Sequence, residues 1–197
     1  MERLPTTAAD KEQISVAYNS YCQTITNKEN KKTVDFLYPK LFDYIQKSRL
    51  IDALKTAQKD KSQDIQLGDF EITSVDKTIL VDNIRYVGFS SSCTFTVIFK
   101  PSIEPDEDEE KENSEGDTSQ AEFAFEIFKT KYGKRNVSHN KKTNTIVAKP
   151  SNQILAIYDA CYGDRWTFLE IKDTMLDLFM KFVPKEVIVS LGKKKRR

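Results

Sequence analysis

Between Ile84 and Lys100 the chain alternates with a period of two. Val87, Phe89, Cys93, Phe95, Val97 and Phe99 hold odd positions; Gly88, Ser90, Ser92, Thr94 and Thr96 hold even ones. Side chains of a strand point alternately to opposite faces, so the stretch predicts a strand with one apolar face and one small, polar face. Its length exceeds that of an ordinary strand, which implies a bend or bulge, placed at Gly88 and the Ser90–Ser92 run. A lone strand cannot bury such a face, so the rest of the chain has to supply a sheet and something to cover it.

The segments before it are helical. Thr7 opens a helix running to about Asn27, with Ile14, Tyr18, Tyr21, Cys22 and Ile25 on one face and an imperfect capping box at Thr7 and Asp10. A second helical segment is expected over Thr33–Lys47, broken at Pro39, which has no N–H to donate. A third follows Ser48. After Asp64 the period changes to two, with Phe70 and Ile72 and then Ile79–Asp82 as strand signals.

Beyond the long strand, Ala121–Tyr132 reads as a further strand, with Phe123, Phe125 and Ile127 on one side and Glu122 and Glu126 on the other. Residues 131–144 form a basic turn. Thr145–Lys149 and Gln153–Cys161 are β-rich, and Tyr162–Arg165 has the Gly-Asp composition of a two-residue hairpin turn. Trp166–Ile171 is the last strand. Met175, Leu178, Phe179 and Phe182 then form a helical stripe that Pro184 ends, before a short helix with Val187, Ile188 and Leu191. Strands joined by turns give an antiparallel sheet and an α+β fold, with N-terminal helices packed on the sheet and a helix at the C-terminal end.

The charge is unevenly spread. Nine carboxylates and one lysine between Ser102 and Gln120 give that stretch −8, so the remainder carries +9 within a total of +1. So few apolar groups cannot offset ordering entropy, and 102–120 is expected to be an acidic disordered loop. The terminal run at 193–197 is a basic tail without aromatic interleaving or a recognition motif, which makes nucleic acid an improbable partner.

The chain resembles the nuclear transport factor 2-like superfamily, particularly its bacterial members of unassigned function. Tyr38-Pro39-Lys40-Leu41-Phe42, the strand Ile84–Lys100, and Trp166–Glu170 followed by Val183–Val187 carry the likeness. It implies a strongly curved, cone-like sheet in a single domain over residues 1–192, a pocket between sheet and N-terminal helices, and a homodimer through the open face of the sheet. The superfamily holds isomerases, dehydratases and cyclases as well as adaptors, so the fold does not select a function.

Chemistry-bearing patterns are sparse. The one histidine, His139, sits in the polar run NVSHNKK and reads as a solvated loop residue. One histidine and three scattered cysteines make no zinc set, the cysteines read as reduced core thiols, and no phosphate-cradling motif or cofactor signature occurs. A pocket carboxylate with tyrosine donors is the remaining option. Asp159 lies within the apolar run ILAIYDAC, and Tyr18, Tyr21 and Tyr86 could supply hydroxyls. These four are the ligand-binding candidates.

No apolar run is long enough to span a bilayer and the N-terminus lacks the pattern of a secretory signal, so a cytoplasmic setting is expected. With no complete catalytic set, the expected function is a non-catalytic module binding a small apolar ligand or a protein. The alternative is a cofactor-independent isomerase, dehydratase or cyclase.

Overall fold

A computed structural model describes residues 1–58, 62–100 and 115–192, without the side chains of 115–119 and 192. The chain is α+β. Its strands are β1 (Glu2–Leu4), β2 (Gln63–Val81), β3 (Ile84–Phe99), β4 (Val137–Asn140), β5 (Thr145–Ala148), β6 (Ser151–Tyr158) and β7 (Trp166–Glu170). Its helices are α1 (Ala8–Thr26), α2 (Asn30–Asp35), α3 (Lys47–Ala57), α4 (Glu115–Tyr132), α5 (Leu176–Phe179) and α6 (Lys185–Gly192). The strands form an antiparallel sheet that does not close: β1, β2, β3, β5 and β4 are neighbours in that order, and β6 pairs with β3 and β7.

Contacts divide the chain into two compact units. The first comprises Met1–Leu54, Phe70–Ser92 and the described part of Asn152–Arg197; the second comprises Lys55–Asp69 and Cys93–Ser151.

In the first unit β3, β6 and β7 are covered on both faces. Val87 and Phe89 of β3, Ile154 and Ala156 of β6, and Trp166 and Phe168 of β7 pack with Ile14, Tyr18 and Cys22 of α1. The alternating positions go elsewhere: Tyr86, Leu155, Ile157 and Leu169 pack with Phe179 of α5 and Val187, Ile188 and Leu191 of α6. Strands buried on both faces read as near-continuous apolar runs, which explains ILAIY and WTFLEI. The β6–β7 register fits, with Leu155 opposite Leu169 on one face and Ala156 opposite Phe168 on the other. Here the even face of β3 is therefore covered at Tyr86 and Gly88 by α6.

Local chemistry sets the element ends. Thr7 caps α1, its hydroxyl accepting from the Asp10 N–H at 3.0 Å. Pro39 forces Tyr38 into extended backbone (φ −61°, ψ 123°), stops the helical path after α2 and opens a 3-10 turn at Pro39–Asp43. Asp82 and Asn83 join β2 to β3 with φ of 49° and 61°, the double positive φ of a two-residue hairpin turn that short Asx side chains tolerate.

One ionic contact ties α1 to the strands. The Arg85 guanidinium pairs with the buried Asp10 carboxylate and lies 4.0 Å from the Tyr158 ring centre and 5.2 Å from that of Trp166. Trp166 Nε1 donates to Gln13 of α1 at 3.3 Å. The planar guanidinium can pair and stack at once, which a lysine could not reproduce.

The second unit corrects three expectations. Ala121–Tyr132 is helical, not a strand: Ala121, Ala124, Phe125, Phe128 and Tyr132 recur at helical spacing, and Phe125, Phe128 and Tyr132 pack on Val137, Ile146 and Ala148. Phe123 and Ile127, central to a period-two reading, are exposed at 70 % and 46 %. AEFAFEIFKTKY satisfies both periods, and its good helix formers decide between them. Because α4 begins at Glu115, residues 115–120 of the expected acidic loop are helical too, while 101–114 and the basic tail lie outside the described residues. His139 lies in β4, not in a solvated turn: its ring is 5.3 Å from that of Phe125, and neither ring nitrogen has a hydrogen-bond partner among the described residues.

Two shorter corrections concern the first unit. Tyr162–Arg165 is not a two-residue turn, since β6 and β7 are joined by Asp159–Arg165 with a 3-10 turn at Ala160–Tyr162. Cys22 and Cys93 are buried, but Cys161, on that turn, is exposed.

Three substitutions test this packing. A Cβ on Gly88 would stand 2.3 Å from Leu191 Cδ2 and 2.8 Å from Asp76 Oδ2, so Gly88→Ala should cost about 1–3 kcal/mol in denaturant unfolding. Shortening the opposing side chain with Leu191→Ala should make the pair of changes cost less than the sum of the singles; simple additivity would place α6 elsewhere. His139→Leu removes two buried, unpartnered nitrogens while keeping an apolar contact for Phe125, and should raise stability by about 1 kcal/mol. Destabilisation by that change would show that the imidazole has a partner.

Candidate functional site

Asp159 directly follows β6, and its carboxylate is buried, with 5 % of the residue exposed. A buried carboxylate needs donors, and the fold provides two. Tyr38 Oη donates to Oδ2 at 2.8 Å, and the Cys161 N–H donates to Oδ1 at 3.1 Å, which makes Asp159 the cap of the turn at Ala160–Tyr162. Tyr38 is the residue that sequence reasoning passes over. Its signal is its place before Pro39, which fixes extended backbone at that point and lets the phenol reach Asp159 across 121 positions of sequence.

The four predicted residues separate into two groups. Asp159 and Tyr86 belong with Tyr38 on the side of the strands covered by α5 and α6. Tyr18 and Tyr21 lie on the α1 side, in an aromatic cluster with Phe89 and Phe168. There Tyr18 Oη donates to Ser91 Oγ at 3.0 Å.

Burial is the main cause that raises all four phenols, Tyr18, Tyr21, Tyr38 and Tyr86, above the ordinary tyrosine value. For Tyr38 the hydrogen bond to Asp159 adds to the rise, and for Tyr86 the charges of Asp159 and Asp82 do so. Tyr162, whose ring meets that of Tyr38 edge-on at 5.8 Å, is raised as well.

Two clefts open beside this carboxylate. One, of about 240 Å³, is lined by Lys40, Asp82, Asn83, Ile84 and the Asp159–Tyr162 turn. The other, of about 360 Å³, shares Lys40, Asp82 and Ile84 and continues along Tyr86 and Met180–Lys185. Their walls come from the 3-10 turn after Tyr38, the β2–β3 hairpin tip, the β6–β7 connection and the α5–α6 connection. Of these residues the sequence pattern marked Tyr86 and Asp159 as site candidates; Lys40 and Lys185 fall within the stretches that carry the family likeness without being singled out, and Asp82 and Lys181 carry no periodic or motif signal.

Among the described residues no cluster of three or more histidine, cysteine or acidic side chains is placed to hold a metal ion, and no helix is long and apolar enough to cross a membrane. No protein-family model matches the chain, and no curated protein matches it.

The raised phenols carry a pH prediction. Their folded values lie above the unfolded one, so the stability they confer is complete below about pH 10 and is lost as pH rises beyond it. In a titration followed by phenolate absorbance and circular dichroism, part of the eight tyrosines should ionise only together with alkaline unfolding. Ionisation of all eight near pH 10 with the fold intact would contradict the burial described.

Proposed function

We propose that this protein is a non-catalytic binding module of the nuclear transport factor 2-like kind, acting in the cytoplasm. Its ligand, a small apolar molecule or a protein segment, occupies the paired clefts around Lys40, Asp82 and Ile84. The observation that carries this reading is the state of Asp159. Both of its oxygens already accept hydrogen bonds from groups of the fold, and the carboxylate serves as the cap of a turn. A general base has to be free to take a proton from substrate. The arrangement suits a carboxylate that shapes the wall of a cleft.

One observation favours the alternative, a cofactor-independent isomerase, dehydratase or cyclase. A buried carboxylate joined to a tyrosine, with a second raised phenol near it, is the pairing such chemistry uses. Tyr18 and Tyr21 contribute nothing to it, because they pack on the α1 side.

The discriminating experiment is a thermal-shift screen of small apolar metabolites and peptides, followed by turnover assays on every hit. The binding reading expects hits that raise the melting temperature, are recovered unchanged, and lose their effect when Ile84→Glu blocks both clefts. Conversion of any compound at a rate abolished by Asp159→Asn would overturn it.

A further inference from the structure

The cleft walls hold an imbalance of charge. Lys40, Lys181 and Lys185 line them, and among the described residues none of the three is ion-paired with a carboxylate. Lys181 instead lies 5.4 Å from the ring centre of Tyr44, which stacks on Phe182 at 5.6 Å. On the acidic side, Asp82 lines both clefts, and Asp159 is buried and engaged by Tyr38 and Cys161. Of the residues that line the clefts, three are cations and one, Asp82, is an accessible carboxylate, while the exposed Asp43 stands near enough to Tyr162 to act on its phenol. Apolar contact is available beside them from Ile84, Phe182 and Val183, and the exposed side chains of Tyr162 and Met180 stand one at each cleft.

On the reading that these clefts bind without catalysis, we propose that their occupant is an acidic polypeptide segment. Its carboxylates pair with Lys40, Lys181 and Lys185, and an apolar side chain between them packs on Ile84 and Phe182. Two features select a polypeptide over a small anion. A small-molecule site encloses most of its ligand, whereas here two open-sided clefts adjoin through shared residues and form a trough. The cations are also spread along that trough, Lys40 at its shared middle and Lys181 and Lys185 in the second cleft, as suits carboxylates spaced along a chain. Charge complementarity of this kind sets partner choice and association rate.

The test is fluorescence anisotropy of the full chain with a fluorescein-labelled peptide in which glutamates flank one leucine, separated by serines. Control peptides replace glutamate by glutamine or leucine by serine. Binding should be saturable and weaken with added salt. The triple change Lys40→Glu, Lys181→Glu, Lys185→Glu should weaken it by about tenfold, three exposed pairs each contributing a fraction of the total. The same variant should gain affinity for the peptide carrying lysine in place of glutamate, which a merely misfolded variant would not do. Equal binding of the glutamine peptide would overturn the acidic partner while leaving the clefts as a binding surface. Binding of laurate at the clefts without any peptide binding would overturn the polypeptide. If neither peptide nor laurate responds to any cleft substitution, both this proposal and the binding reading fall.

Discussion

Burial of both faces of β3, β6 and β7 is the constraint on which the first unit depends. An antiparallel sheet commonly leaves one face to water, and its strands then alternate cleanly. Here α1 covers one face and α5 with α6 the other, so alternate residues of each strand enter separate apolar layers. Burying a Val, Leu, Ile or Phe side chain contributes roughly 1.5–3 kcal/mol, so each five-residue stretch of β6 or β7 carries a large share of the folding free energy. It also fixes register. A slip by one residue would exchange the two layers, placing Leu155 and Ile157 against α1 and Ala156 against α6.

The double cover explains where the polar groups went. Asp10 and Asp159, both buried, sit at the margins of the layers, and each is met by a donor from another element: Arg85 for Asp10, Tyr38 for Asp159. Among the described residues both buried carboxylates thus have a partner. The candidate site follows from the same arrangement, because the clefts lie where the α5–α6 cover gives way to the hairpin tip at Asp82 and Asn83. There the strands end, backbone turns are exposed, and lysines replace apolar side chains.

How much of this the sequence made legible varies with the physics of each element. The first helix, its Thr7 cap and the long strand were legible because one periodicity dominates each of them. Met175, Leu178, Phe179 and Phe182 do pack at one core, but the single helix expected there is cut to Leu176–Phe179 after a 3-10 turn at Asp173–Met175. AEFAFEIFKTKY was not, since its Phe and Ile residues satisfy the periods of a strand and a helix together, and its good helix formers, with the docking surface of Val137, Ile146 and Ala148, select the helix. His139 was misplaced because a polar heptapeptide concealed a short edge strand whose inward position is held by a histidine. At the site, Asp159 announced itself as a carboxylate in an apolar run, yet its partner Tyr38 could not be found from a sequence separation of 121 residues. Tyr18 and Tyr21 were assigned to the pocket by residue type alone, and the two-faced sheet sends them to the opposite side.

The central claim, that α6 is a layer of the core and not an appendage, is tested most directly by native-state hydrogen exchange. Amides of Val187–Leu191 should share the opening free energy of β6, exchanging with Ile154–Tyr158 in one cooperative unit. Exchange of α6 through a separate low-energy opening, with β6 still protected, would contradict it.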